Sequence, residues 1–168
     1  MTRAFVGVGA NLGDAVDQVR AAIAALAALP GTRLVAASSL YRSAPIGYAD
    51  QPDFINAAAL LETELAPGAL LAALQAIEAG AGRSRTFKDA PRVLDLDLLL
   101  YGAAAIDEPG LVVPHPRLHG RAFALAPIVE LDPGCVIPGR GPAKDWLARA
   151  AGQRIERIGD GGRAMGDG

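Results

Sequence analysis

The chain has 168 residues, of which 51% are hydrophobic and 20% charged, a length and composition typical of one globular domain. No apolar run approaches the roughly 20 residues that cross a bilayer, so the sequence argues against both a membrane-spanning protein and a disordered one. Sixteen Lys and Arg residues against eighteen Asp and Glu give a net charge of −2, which argues against a nucleic-acid-binding protein that relies on a basic face.

The hydrophobic pattern of the first hundred or so residues predicts four strands and two helices in the order β-α-β-β-α-β. The predicted strands cover about 3–9, 33–42, 54–65 and 93–101, and the predicted helices cover 14–29 and 67–80. This is the order of an α+β, ferredoxin-like sandwich, in which both helices cover one face of an antiparallel sheet.

The rest of the chain is predicted to form C-terminal additions to this sandwich. A short strand is expected at 111–113, and helices are expected from 116 onward and over 143–150. The last residues are rich in Gly and carry few apolar side chains, which indicates a disordered tail. We therefore predict one domain over 1–159 and a tail over 160–168.

Two acidic residues stand inside the predicted fourth strand. Asp95 and Asp97 are two positions apart, so both carboxylates project from one face of the strand. Like charges this close repel unless a cation lies between them, and carboxylate oxygens select hard ions such as Mg²⁺. The pair predicts a magnesium site; an ordinary solvated strand face is the alternative.

A basic loop leads directly into this acidic strand. It carries four cations within ten residues, namely Arg83, Arg85, Lys88 and Arg92. Cations beside a paired carboxylate site indicate a polyphosphate and its metal, since both are needed to offset the phosphate charge. Alone, the loop is equally consistent with a mobile solvated segment. Fourteen of the sixteen basic residues of the chain are Arg, which codon usage also explains.

The glycines near the N-terminus do not form a recognised nucleotide-binding motif. In the segment 7–13 the third glycine falls one place too late for a dinucleotide fingerprint, and the chain contains no P-loop sequence. The interpretation we favour for these glycines is a tight turn from strand to helix.

Three further side chains are candidates for ligand contacts. His115 lies between two prolines and could contact phosphate together with Arg121, bind a metal together with His119, or be an ordinary surface histidine. Phe54 and Asn56 share one face of the third strand, where an aromatic ring and an amide would suit a flat heterocycle. Core packing of Phe54 with an outward Asn56 is the alternative.

The single cysteine, Cys135, excludes an intrachain disulfide. Two histidines and one cysteine also cannot supply a usual zinc site, so any metal must be held mainly by oxygen. The N-terminus lacks the pattern of a signal peptide, and a cytoplasmic protein is expected.

Six short motifs occur in a characteristic order along the chain. They are 9–13 (GANLG), 39–43 (SLYRS), 50–56 (DQPDFIN), 82–85 (GRSR), 90–97 (APRVLDLD) and 113–116 (VPHP). In this order they resemble the 6-hydroxymethyl-7,8-dihydropterin pyrophosphokinases of folate biosynthesis, over about residues 3–138. The resemblance implies a ferredoxin-like fold and transfer of pyrophosphate from MgATP to the pterin hydroxymethyl group, which leaves AMP.

The resemblance also implies a role for each matching residue. Asp95 and Asp97 would hold two Mg²⁺ ions and, with Arg83 and Arg92, form the catalytic set. ATP contacts are implied for Gln75, Glu78, Arg85, Arg92, Leu98, His115 and Arg121. Pterin contacts are implied for Ser43, Ala44, Ile46, Phe54, Asn56 and Phe123, with the rings of Phe54 and Phe123 on either side of the pterin. The family also suggests a monomer that binds neither nucleic acid nor membrane.

Some positions depart from the family pattern. The Trp that closes over the substrates in many members is absent, and Phe87 is the candidate to replace it. Gly110 and Val112 stand where an Arg and a Thr often contact ATP, and Ser43 replaces a Thr. Two other classes of protein are the alternatives: a ferredoxin-like binding module without chemistry, and a Mg²⁺-dependent phosphohydrolase.

Overall fold

The structure is a computed structural model that describes residues 1–11, 14–44, 52–81 and 94–160. The strands in this part of the chain are β1 (Thr2–Ala10), β2 (Thr32–Ala37), β3 (Ser39–Ser43), β4 (Phe54–Thr63), β5 (Asp95–Tyr101), β6 (Ile106–Glu108), β7 (Leu111–Val113), β8 (Val136–Ile137), β9 (Gly141–Pro142) and β10 (Ile155–Asp160). The helices are α1 (Ala15–Ala27), α2 (Pro67–Ala81), α3 (Ala122–Leu131) and α4 (Ala143–Arg149), with a 3₁₀ turn, Leu118–Gly120, before α3.

The main sheet is antiparallel and has the strand order β10-β3-β4-β1-β5, with β2 also paired to β4. The first and last strands of the predicted sandwich, β1 and β5, are neighbours, and β4 lies on the other side of β1. Helices α1 and α2 pack on one face, over a core that includes Val6, Ile23, Leu61, Leu74 and Leu98. The ferredoxin-like prediction is confirmed.

One predicted strand, 33–42, is two strands. Both β2 and β3 pair with β4, but the register shifts by one residue between Ala37 of β2 and Tyr41 of β3, in addition to a shift inside β2 between Leu34 and Ala36. The Ser38 hydroxyl accepts the Ala58 N–H at 2.9 Å and donates to the Ser39 carbonyl at 2.8 Å. A side chain thus satisfies backbone groups where the regular ladder is interrupted, as expected at a β-bulge.

The C-terminal additions cover the second face of the sheet. Helix α3 packs on β4 and β3, and a second core forms there around Phe5, Leu60, Leu99, Leu125 and Ile128. The helix predicted from 116 onward is interrupted. Arg121 has an extended backbone, which separates the 3₁₀ turn from α3. Among the described helices, none combines the length and apolar character that a membrane crossing requires.

Strand β10 is absent from the sequence-based prediction. It pairs antiparallel with β3, with Ile155 opposite Ser43, and its last residue is Asp160. Its sequence, IERIGD, lacks apolar alternation because it lies at the sheet edge, where one side needs no burial. Apart from Asp160, the predicted tail lies outside the described residues.

Candidate functional site

A cavity of about 240 Å³ opens on the second face of the sheet, beside the first turn of α3. Alternation along the strands aims Gly7 and Gly9 of β1 at this face, together with Asn56 of β4 and Asp95 and Asp97 of β5. All five residues line the cavity. The α1 and α2 core lies on the opposite face, so the ferredoxin-like helices do not cover the site.

The strand register fixes how these side chains face one another. Gly9 is opposite Asn56 on one side and opposite Asp95 on the other, and Gly7 is opposite Asp97. An amide and a carboxylate therefore stand on either side of a strip without side chains. With strands about 4.8 Å apart, the Asn56 and Asp95 backbones are roughly 10 Å apart.

The turn predicted for the N-terminal glycines is wrong at Gly7 and Gly9. Both lie inside β1, and their lack of side chains forms the floor of the cavity; Gly13 lies outside the described residues. A Cβ atom at Gly9 would lie 3.1 Å from Asn56 Oδ1, and one at Gly7 would lie 3.2 Å from a Leu99 methyl group. Glycines at alternate positions of an apolar strand were the signal for a close approach at this point.

One end of the cavity combines a buried amide with aromatic rings. Asn56 is 5% exposed, and its Nδ2 donates to Ser43 Oγ at 2.8 Å. Phe54 and Phe123 are half-buried and line the same cavity, as does the exposed Ala44. The structure thus brings together five of the six residues predicted to contact the pterin; Ile46 lies outside the described residues.

The other end of the cavity is charged. Asp97 is 47% exposed on its side chain, and its Oδ1 lies 3.8 Å from Nε2 of His115. Asp95 is half-buried and lines the same end. Two carboxylates on one strand face suit a magnesium ion, whose remaining ligands would be phosphate oxygens and water. Within the described ranges, no group of three or more His, Cys, Asp and Glu residues is arranged to hold a metal ion.

His115 is oriented by backbone hydrogen bonds. Its own N–H donates to the Leu99 carbonyl at 2.9 Å, and its Nδ1 accepts the Arg117 N–H at 3.1 Å. The neutral ring therefore carries its proton on Nε2, on the side of Asp97. Burial lowers the pKa of His115, and Arg121 and Arg117 lower it further, while Asp97 opposes them. His119, the other residue considered for a metal site, is not among the residues that line the cavity, and its ring packs edge-on against Trp146.

Arg121 stands at the start of α3, above the acidic strand. Its guanidinium lies 5.5 Å from the centroid of the Phe123 ring, and both residues line the cavity. Burial and Arg117 lower its pKa and Asp97 raises it, but an arginine remains charged at neutral pH. Arg121 thus supplies a cation to the same cavity as the two carboxylates.

Helix α3 is held over the sheet by Glu130. Its carboxylate accepts hydrogen bonds from the Ser39 N–H and hydroxyl at 3.0 Å and from the Tyr41 hydroxyl at 2.6 Å. Burial and this contact raise the pKa of Tyr41 far above its usual value. Arg157 of β10 lies 3.8 Å from the same carboxylate. These contacts fix the helix that carries Phe123.

Three residues predicted to contact ATP lie outside the cavity lining. Glu78 of α2 accepts the Leu96 N–H at 2.7 Å, at the free edge of β5, and Gln75 is exposed one turn earlier. The Leu98 side chain is 5% exposed and packs in the α1 and α2 core, on the face of the sheet opposite the cavity. Any contact from Leu98 must use its backbone, because side chains alternate across the strand. Arg83, Arg85, Phe87 and Arg92 lie outside the described residues.

Comparison with known proteins shows the family of the chain. Residues 5–133 match the family model described as 7,8-dihydro-6-hydroxymethylpterin-pyrophosphokinase (HPPK). The chain is 47% identical to the 2-amino-4-hydroxy-6-hydroxymethyldihydropteridine pyrophosphokinase of Pseudomonas aeruginosa, over 93% of this chain and 96% of the relative. It is 43% identical to the protein of the same name from Methylorubrum extorquens, over 94% and 99% of the two chains.

Solved structures show the same fold. Wild-type Plasmodium falciparum HPPK-DHPS superposes with a TM-score of 0.70 at 11% identity, over 88% of this chain. The chain spans 43% of the length of that solved chain.

Proposed function

The chain belongs to the 7,8-dihydro-6-hydroxymethylpterin-pyrophosphokinase family, and we propose that it carries out the family's reaction, in folate biosynthesis, inside the cavity on the second face of the sheet. The reaction moves pyrophosphate from ATP to the hydroxymethyl oxygen of 6-hydroxymethyl-7,8-dihydropterin and leaves AMP. One observation carries the proposed site: Asn56 and Asp95 flank the bare floor at Gly9, so an amide end and an acidic end meet in one cavity.

The pterin binds at the amide end. An amide offers both a donor and an acceptor to the edge of the heterocycle, and the hydrogen bond to Ser43 fixes the orientation of the Asn56 amide. Phe54 and Phe123 supply apolar and aromatic surface for the flat ring. Asn56, Gly9 and Asp95 are cross-strand neighbours, so a pterin bound to Asn56 over Gly9 would have its hydroxymethyl group near the acidic end.

The triphosphate of ATP binds at the acidic end. Asp95 and Asp97 would hold two Mg²⁺ ions; magnesium, when bound, neutralises phosphate charge and orients the triphosphate. Arg121 provides a cation opposite these carboxylates, and the Nε2–H of His115 can donate to a phosphate oxygen. Arg83, Arg85 and Arg92 precede the acidic strand in the chain and would add charge at the same end.

The chemical step is an in-line displacement at the β-phosphorus of ATP. The pterin hydroxymethyl oxygen forms the new bond to phosphorus, the bond to the α-phosphate bridging oxygen breaks, AMP leaves and the hydroxyl proton is released. Arg121 and the other arginines stabilise the charge that develops on the phosphate oxygens. Positioning of the two substrates on either side of Gly9 supplies the rest of the rate enhancement.

The proposal includes the oligomeric state and the cellular compartment of the protein. We expect a monomer in the cytoplasm, where ATP is available and the single Cys135 needs no oxidising compartment. Light scattering of the purified protein checks the monomer.

The activity is tested by incubating the protein with ATP, Mg²⁺ and 6-hydroxymethyl-7,8-dihydropterin and measuring AMP. AMP should form only when all three are present, and EDTA should abolish it. Phosphate or pyrophosphate release without the pterin would instead identify a phosphohydrolase. Binding of ATP without any product would identify a binding module.

A side chain at Gly9 should block the pterin site. Gly9→Ala is expected to raise the KM for the pterin about tenfold, because its Cβ enters the floor 3.1 Å from Asn56 Oδ1, and Gly9→Val should remove activity. Steady-state kinetics with each substrate in turn measure this effect, and the KM for ATP should change less than twofold.

Gly68→Ala is the matched control for this prediction. Gly68 lies in the first turn of α2, and a Cβ there meets no atom within 4 Å. Its activity should equal that of the unmodified protein. A Gly9→Val variant that binds the pterin normally would show that the floor lies elsewhere.

A further inference from the structure

The side chain of Gln153 joins the C-terminal segment to the two peptide groups that flank Arg121. Its Oε1 accepts the Ala122 N–H at 2.9 Å, and its Nε2 donates to the Gly120 carbonyl at 2.8 Å. One side-chain amide thus holds the backbone immediately before and immediately after Arg121. Gln153 lies beyond residues 5–133, which the family model covers.

The backbone at Arg121 needs such a partner. Arg121 is extended, with φ −123° and ψ 109°, between the 3₁₀ turn and α3, and its own side chain does not cap the helix. The first N–H groups of a helix have no partner inside the helix, and Ala122 is 1% exposed. Gln153 therefore acts as a cap for α3 from 31 residues away.

Gln153 is itself held from both sides. Its N–H donates to the Ala150 carbonyl at 2.9 Å, and the Ala150 N–H in turn bonds to the last turn of α4. Two residues later, Ile155 begins β10 and pairs with Ser43 of β3. The amide thus projects from a short connection that is fixed to a helix at one end and to the main sheet at the other.

We infer that Gln153 is a positioning residue, which holds the Arg121 guanidinium over the acidic end of the cavity and thereby favours ATP binding. This inference rests on the proposed contact between Arg121 and the triphosphate. Gln153 touches neither substrate; it acts through the Gly120 and Ala122 peptide groups. Because Gln153 is exposed to solvent, water can replace some of its hydrogen bonds. Replacement of Gln153 is therefore expected to change the KM for ATP only moderately.

The test is a double-mutant cycle on ATP binding. Gln153→Met keeps the length of the side chain but removes both hydrogen bonds, and it should raise the KM for ATP about fivefold. Gln153→Glu keeps the acceptor for Ala122 but cannot donate to Gly120, and it should raise this KM about twofold. Gln18→Met, the same replacement at a half-buried glutamine of α1 on the opposite face, should leave it unchanged.

The second arm uses Arg121→Ala, which should raise the KM for ATP at least tenfold. In that background Gln153→Met should have no further effect, because the side chain that it positions is gone. Thermal unfolding of each variant shows whether it folds. If Gln153→Met does not fold, the double-mutant cycle with Arg121→Ala is measured with Gln153→Glu instead.

The two possible failures are distinguishable. If Arg121→Ala leaves the KM for ATP unchanged, the proposed role of Arg121 is wrong. If Arg121→Ala has its effect but Gln153→Met has none, or has the same effect in both backgrounds, the positioning role of Gln153 is overturned.

Discussion

Replacement of Asp97 by asparagine is expected to lower kcat for AMP formation by about a hundredfold to a thousandfold. The amide keeps the size of the side chain but removes the charge that would hold magnesium against the triphosphate, and the electrostatic contribution of one such group is about 3–4 kcal/mol. AMP production at saturating ATP and pterin measures the loss. The same change at Asp95 should have an effect of similar size.

The fold should not suffer from this replacement. Asp95 and Asp97 are like charges on one strand face, so loss of one charge relieves a repulsion that offsets the lost attraction to Arg121, and the free energy of unfolding should change by less than about 1 kcal/mol. Asp107→Asn is the matched control, because Asp107 is exposed in the β6 and β7 hairpin, away from the cavity lining. Near-normal AMP formation by Asp97→Asn, at the usual magnesium concentration, would contradict the metal site.

Replacement of Asn56 by leucine is expected to lower kcat/KM for the pterin by about a thousandfold or more. A site that hydrogen-bonds a substrate through a buried polar group discriminates strongly when that group is lost, and Asn56 is 5% exposed at the amide end of the cavity. The KM for ATP should stay within about threefold. Pterin binding measured in the absence of ATP separates this effect from chemistry.

Loss of stability must be separated from loss of pterin binding in this variant. Asn56→Leu also removes the hydrogen bond to Ser43, which should lower the free energy of unfolding by about 1 kcal/mol. Ser43→Ala removes the same hydrogen bond but keeps the Asn56 amide. Its free energy of unfolding should fall by a similar amount, and its affinity for the pterin should fall less than tenfold. Equal losses of pterin affinity in the two variants would mean that Asn56 only supports Ser43.

The sequence was most informative where chemistry and strand alternation agree. Asp95 and Asp97 are two residues apart, and so are Phe54 and Asn56; the pairing of β4, β1 and β5 carries all four to one cavity. The same alternation places the Leu98 side chain on the opposite face, so the ATP contact that the family resemblance implies for Leu98 would involve its backbone. Local periodicity therefore predicts which face a side chain occupies, but not what lies across the sheet from it.

Features that depend on distant parts of the chain could not be predicted from the sequence. The role of Gly9 depends on Asn56, which reaches it from another strand, so the glycine alone resembled a turn residue. The register shift between β2 and β3 depends on how both strands pair with β4, and β10 is an edge strand without apolar alternation. The contact between Gln153 and Ala122 joins segments 31 residues apart and leaves no local pattern.

The most direct test of the whole site is a crystal structure with Mg²⁺, an α,β-methylene analogue of ATP and 6-hydroxymethyl-7,8-dihydropterin. The analogue replaces the bridging oxygen at which the bond breaks, so the complex does not react. The pterin should contact the Asn56 amide between Phe54 and Phe123, with magnesium about 2.0–2.1 Å from oxygens of Asp95 and Asp97. A pterin bound outside this cavity, or magnesium that touches neither aspartate, would contradict the proposed site.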